Sequence, residues 1–211
     1  MQYQQYQFLM SFVTGLAGLC FFWIVLYLAT RKHPWSLTMG EDNRPSTSKF
    51  QMLVWTGTVV FAYLAIYQIR FSQHHPEGLP AIPQNLLIAM GISAATTVSA
   101  KAIAVSSDKA AKIKTAAALV AGLPLPAPKS SLSGIFQDDE GSPDLGKVQV
   151  VLWTLIAVGI FLSGVFVEMY SPNTCVVGKE CMTTIPDIGE TLMILMGLGH
   201  AAYIGNKIAQ S

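Results

Sequence analysis

Glu41-Asp42-Asn43-Arg44-Pro45-Ser46-Thr47-Ser48-Lys49-Phe50-Gln51, followed by Val54-Trp55-Thr56, sets a pattern that this chain uses twice. The second copy reads Asp139-Glu140-Gly141-Ser142-Pro143-Asp144-Leu145-Gly146-Lys147-Val148-Gln149, followed by Leu152-Trp153-Thr154. Proline, lysine, glutamine, tryptophan and threonine match at one constant offset. In each copy, acidic residues lead through proline into a helix start and then into an apolar run. An internal repeat of this kind constrains the architecture before any other feature does.

A second set of matches follows each apolar run, at a different offset. Leu79-Pro80 corresponds to Ile185-Pro186, and the matches continue as far as Lys101 and Lys207. The duplication therefore covers two whole helical hairpins. Because both copies begin and end on the same side of a membrane, a symmetry axis between them runs along the membrane normal, as in parallel repeats.

The composition indicates a lipid environment. Hydrophobic residues make up 52% of the chain and charged residues only 12%, whereas a soluble domain has roughly 25% charged residues. The apolar residues form runs close to the length of about 20 residues with which a helix crosses a bilayer. The five runs are Phe8 to Ala29, Phe50 to Ile69, Leu86 to Ala104, Val148 to Val167 and Ile188 to Ile208. The predicted fold is all-α integral membrane, with five transmembrane helices forming a tandem parallel repeat of a helical hairpin plus one extra N-terminal helix.

Lysine and arginine are unevenly distributed over the predicted loops. Eleven of the 13 lie on the side reached after the first, third and fifth spans, and the loops after the second and fourth spans hold one each. Cytoplasmic loops of membrane proteins carry the excess of positive charge. We therefore expect a multi-pass protein of a bacterial inner membrane, with the N-terminus outside and the C-terminus in the cytoplasm.

The chain divides into four predicted segments. These are an N-terminal transmembrane helix (1–30), a first linker and hairpin repeat (31–104), a cytoplasmic linker (105–138) and a second hairpin repeat (139–211). The stretch Val105 to Gly146 is the only sizeable part outside the membrane, and it is too short to bury an independent core. We expect it to bind a cytoplasmic protein partner instead of forming a soluble enzyme domain.

Both copies contain the pattern Lys-x-Gln-x-x-x-Trp-Thr at the start of a hairpin and Met-Gly in the returning helix. In these features the chain resembles a set of uncharacterised bacterial multi-pass membrane proteins with duplicated hairpins of the Lys/Arg-x-Gln-x-x-x-Trp-Thr type. The similarity covers most of the chain after residue 41. It implies a bacterial source and the duplicated hairpin fold, but no activity.

Six residues of the repeat are predicted to join the two hairpins at the cytoplasmic interface. Within each copy, glutamine and tryptophan are four residues apart, which puts them on one face of a helix. A buried amide must find a hydrogen-bond partner, because an unsatisfied polar group in hydrocarbon costs several kcal/mol. We interpret the six as a packing lock, with a lipid headgroup site as the alternative; they are Lys49, Gln51, Trp55, Lys147, Gln149 and Trp153.

His200 lies near the middle of the fifth predicted span, and the corresponding residue of the first copy is Ala94. An ionisable residue inside a membrane is a candidate functional residue. The alternative is a neutral imidazole that hydrogen-bonds across a pair of helices. In the same return helices we expect Gly91 and Gly197 to allow close helix packing.

The last outer loop contains Cys175 and Cys181. An oxidising compartment would let them form a disulfide, and two free thiols are the alternative. Another outer loop contains His74, His75 and Glu77, which we interpret as a flexible loop and not as a metal site.

The function predicted from these features is structural. The chain has no nucleophile paired with a base, no phosphate-binding loop and no cofactor motif, so we expect neither an enzyme nor a bound cofactor or metal. A net charge of +1 leaves no broad basic face for nucleic acid. We expect a membrane-embedded assembly or anchoring subunit that forms a homo-oligomer, and a small oligomeric ion channel is the alternative.

Overall fold

The computed structural model describes residues 2–39, 45–72, 80–91, 95, 98–99, 135–137, 142–170 and 184–209. These residues form the helices α1 (Gln2–Thr30), α2 (Thr47–Ser72), α3 (Leu145–Tyr170) and α4 (Glu190–Ala209), and a 3-10 helix covers Pro34–Thr38. Residues 84–91 are also helical. The all-α fold class is confirmed for the described part of the chain.

Among the described residues, three helices are long and apolar enough to cross a membrane: Gln4–Thr30 within α1, and the whole of α2 and α3. At about 1.5 Å per residue, the 26 residues of α2 and of α3 each exceed the roughly 30 Å of a hydrocarbon core. The fifth predicted span forms α4, a helix of 20 residues that is not among these three. Much of the third predicted span, Leu86 to Ala104, lies outside the described residues.

Several other predicted features also lie outside the described residues. They are the outer-loop residues Cys175 and Cys181, the segment from His74 to Glu77, and the cytoplasmic linker up to Gly134.

The apolar core lies between α2 and α3. On α2, Ala62 and Ala65 are fully buried, and these small side chains allow the helices to approach. On α3, Phe161 is 2% exposed. The centre of its ring lies 6.3 Å from that of Trp55 of α2, in an edge-to-face arrangement. Further large side chains fill the same core: Ile66, Ile69, Val165, Met169, Leu86, Ile188 and Met196. The core therefore draws on both hairpins.

α1 packs mainly against α2, where glycine allows a close contact between the two helices. A Cβ atom at Gly15 would lie 2.7 Å from Phe61 Cε2 and 3.1 Å from the Phe61 carbonyl oxygen. A Cβ atom at Gly18 would lie 1.9 Å from Leu64 Cδ1. The extra N-terminal helix is therefore fitted to the first hairpin and is not a loosely attached anchor.

Gly15→Ala is expected to destabilise the protein by about 1–3 kcal/mol, the usual cost of overpacking a filled contact. The added methyl group would force α1 away from α2. Gly159→Ala in α3 is the matched control, because a Cβ atom there meets nothing within 4 Å in the described part of the chain. Unfolding in mixed detergent micelles, followed by circular dichroism, measures both variants. Equal stability of the two would contradict the close α1–α2 contact.

Candidate functional site

Each hairpin begins with a loop that a lysine closes. Lys49 Nζ donates to the Met39 carbonyl oxygen at 2.7 Å, and Lys147 Nζ donates to the Gln137 carbonyl oxygen at 2.5 Å. We call these two contacts the lysine clasps. The repeat pattern predicts both lysines as members of the packing lock but does not predict their partners in the loops. The constant spacing of four residues between proline and lysine in both copies indicates that the two lysines have the same role.

A backbone bridge closes the loop before each hairpin at equivalent positions of the two copies. Met39 forms an isolated antiparallel bridge with Pro45, and Gln137 forms one with Pro143. Asp144 then starts α3 as its N-cap, since its Oδ1 accepts from the backbone N–H of Gly146 at 2.8 Å. The repeated structure therefore begins at Met39 and Gln137, two residues before the first acidic residues of the quoted pattern, Glu41 and Asp139.

The two copies are also connected at their helix starts. Thr47 Oγ1, in the first turn of α2, donates to the Ile135 carbonyl oxygen at 2.8 Å. Thr47 is 1% exposed and Ile135 is 4% exposed. The last residues of the linker are thus tied to the first hairpin through Ile135 and to the second hairpin through the clasp on Gln137.

A buried polar cluster lies between α2 and α4. Ser48, Gln51 and Trp55 are three and four residues apart, so they share one face of α2, and each is at most 1% exposed. Gln51 Nε2 lies 2.8 Å from Nε2 of His200, which α4 contributes and which is 4% exposed. We call these four residues the polar seam.

The Gln51–His200 contact requires a defined arrangement of hydrogens. If the amide nitrogen of Gln51 donates, then Nε2 of a neutral imidazole accepts and the ring proton is on Nδ1. If the amide is turned round, the ring donates to Oε1 instead. Oε1 has no hydrogen-bond partner in the described part of the chain, so the amide of Gln51 can take either orientation. The distance between Gln51 and His200 alone is therefore compatible with either tautomer of His200.

The polar seam contains more hydrogen-bonding atoms than it uses. Ser48 Oγ and Trp55 Nε1 are buried and, like Gln51 Oε1, have no partner in the described residues. Leaving a polar group buried and unpaired costs about 1–3 kcal/mol. Within the seam, the contact from Gln51 to His200 links α2 to α4.

The second copy of the repeat contacts α4 at Gly199, the residue before His200. A Cβ atom at Gly199 would lie 3.6 Å from Trp153 Cδ1 and 3.8 Å from Gln149 Cγ, which is ordinary van der Waals contact. α4 therefore contacts Gln51 of the first copy through His200 and Gln149 and Trp153 of the second copy through Gly199. Three of the predicted lock residues thus lie against α4, Trp55 packs against Phe161, and the two lysines lie in the clasps.

A Cβ atom at Gly91 or Gly197 would meet nothing within 4 Å among the described residues, so the close packing expected at these two glycines stays a prediction. Close contacts at glycine are found at Gly15 and Gly18 on α1. From the return segments, Leu86 and Met196 enter the core.

One contact at the opposite end of the bundle was not predicted. Asn85 Nδ2 donates to Asp187 Oδ2 at 2.9 Å and to the Ile188 carbonyl oxygen at 3.1 Å. Asn85 lies in the helical segment 84–91, and Asp187 precedes α4. This contact joins the starts of the two return segments. The repeat does not predict it, because the corresponding residues of the two copies differ.

Comparison with known proteins finds no matching protein family, no similar curated protein and no similar solved structure.

Proposed function

We propose that this chain is a five-span anchoring subunit of a bacterial inner membrane, with its N-terminus outside, that assembles with copies of itself. In this proposal, the segment Val105 to Gly146 binds a cytoplasmic protein. The main support is the filled interior between the hairpins, where the buried rings of Trp55 and Phe161 meet. Ions passing through a single copy would have to displace these apolar side chains, so the interior suits a rigid anchor.

The attachment of the linker also supports an anchoring role. Its last residues are fixed through Ile135 to α2 and through Gln137 to Lys147 of α3. A load on the linker would therefore be transmitted to both hairpins. Such a double attachment is what an anchor requires, because one weak contact could be pulled apart without moving the bundle.

A pore formed between several copies is the alternative. Its walls would have to come from exposed helix faces, and on α1 and α3 these carry large apolar side chains that include Leu9, Val13, Leu155 and Ile160. Faces of this kind suit lipid or a neighbouring apolar helix better than hydrated ions. His200, the candidate constriction of such a pore, is buried against α2.

Liposome flux and partner binding together test the proposal. The purified protein in liposomes is expected to add no ion flux to that of empty liposomes, and native mass spectrometry is expected to show a homo-oligomer. Deleting residues 115–130, which leaves both lysine clasps in place, should release a co-purifying cytoplasmic protein without changing the oligomer. An ion flux that His200→Ala alters would contradict anchoring, as would a wild-type protein that retains no partner.

A further inference from the structure

A cavity of about 450 Å³ lies between the beginning of α1 and the end of α2. This volume falls within the range of roughly 300–1,000 Å³ that is usual for small-molecule sites. The cavity is remote from the polar seam, since the first residues of α1 and the last residues of α2 line it. It belongs to the end of the bundle opposite to the lysine clasps.

Further along α1, α1 and α2 are in close contact. At Gly15 the two helices are so close that a Cβ atom would overlap the Phe61 ring. Nearer the beginning of α1, the long side chain of Gln7 is needed to reach α2, and its Nε2 lies 3.3 Å from Ser72 Oγ. Residues of both helices line the cavity beside this contact.

The lining combines apolar and uncharged polar groups. Tyr6, Met10 and Phe71 line the cavity and are exposed at the protein surface. Gln68 and Ser72 contribute an amide and a hydroxyl group. No charged side chain lines the cavity among the described residues, so its chemistry matches a long apolar chain that ends in a neutral hydrogen-bonding group.

We propose that this cavity binds one diacyl lipid from the leaflet that surrounds the beginning of α1. An acyl chain would pack against Met10 and Phe71, and the uncharged ester region would hydrogen-bond to the Gln68 amide. The ends of membrane-spanning helices lie at the depth of the lipid ester and headgroup region, which places these polar groups at the right level. The proposal does not depend on the anchoring function, because it concerns a different part of the molecule.

Native mass spectrometry after delipidation, with phosphatidylethanolamine or phosphatidylglycerol added back, tests this site. The wild type is expected to retain one lipid. Met10→Trp fills the cavity and should weaken retention at least tenfold. Leu9→Trp is the matched control, because Leu9 is an exposed neighbour on α1 that does not line the cavity, and it should retain the lipid. Gln68→Leu keeps the volume but removes the amide, and should weaken retention about fivefold.

The two lipids should bind within about threefold of each other, since none of the described residues that line the cavity is charged. Equal retention by Met10→Trp and Leu9→Trp would overturn the proposal, as would a preference of more than tenfold for the anionic lipid. Identification of the retained molecule as anything other than a diacyl lipid would also overturn it. If Met10→Trp does not give a monodisperse protein, Gln68→Leu provides the deciding measurement.

Discussion

Gln51→Leu and His200→Leu are each expected to lower the free energy of unfolding by about 1–3 kcal/mol, because each leaves the other partner buried without its hydrogen bond. The double variant is expected to lose about 1 kcal/mol less than the sum of the two single losses. Replacing both partners with apolar groups leaves neither of them unpaired. Interhelical hydrogen bonds in membrane proteins contribute about 0.6–2 kcal/mol, which sets the size of the expected coupling.

A double-mutant cycle by reversible unfolding in mixed micelles measures this coupling. Gln149→Leu is the matched control, since Gln149 occupies the same position in the second copy but is half-buried and lies against Gly199. Combined with His200→Leu, it is expected to give losses that add within about 0.5 kcal/mol. Additive losses for the Gln51 and His200 pair would show that the 2.8 Å contact does not link the hairpins.

Trp55→Ala is expected to cost about 3–5 kcal/mol, the usual cost of removing a buried aromatic side chain. Trp55 is 1% exposed and packs against Phe161 in the centre of the core. Trp55→Phe should cost much less, because its ring still packs in the core and the lost indole N–H has no hydrogen-bond partner in the described residues.

Trp153→Ala is the control for this prediction, because Trp153 is the repeat equivalent of Trp55 and is only half-buried. We expect it to cost less than half as much in the same unfolding assay. If Trp55→Phe lowers the free energy of unfolding as much as Trp55→Ala does, the indole N–H makes an essential hydrogen bond, and ring packing is not the main contribution of Trp55 to stability. If the two alanine variants are equally unstable, the core is not centred on Trp55.

The sequence predicted those features that depend on local chemistry. Pro143 and Asp144 mark a helix start. Proline disfavours a helical conformation of the residue before it, and the aspartate carboxylate accepts hydrogen bonds from the first free backbone N–H groups of the helix. The long apolar runs predict α1, α2 and α3 as helices able to cross a membrane. The constant offset between Lys49 and Lys147 indicates that both copies use the lysine for the same purpose, although it does not show what that purpose is.

The sequence by itself therefore determined that the chain is helical, that it has helices apolar enough to cross a membrane and that it contains an internal repeat. Only the tertiary structure decided that His200 contacts Gln51, which is 149 residues away in the chain, and that Lys49 closes a loop. A hydrophobic pattern fixes which face of a helix is buried, but the rotation and depth of one helix against another depend on how all the buried side chains fit together. The close α1–α2 contact at Gly15 is of this kind, because the sequence shows a glycine in an apolar helix but not which ring lies against it.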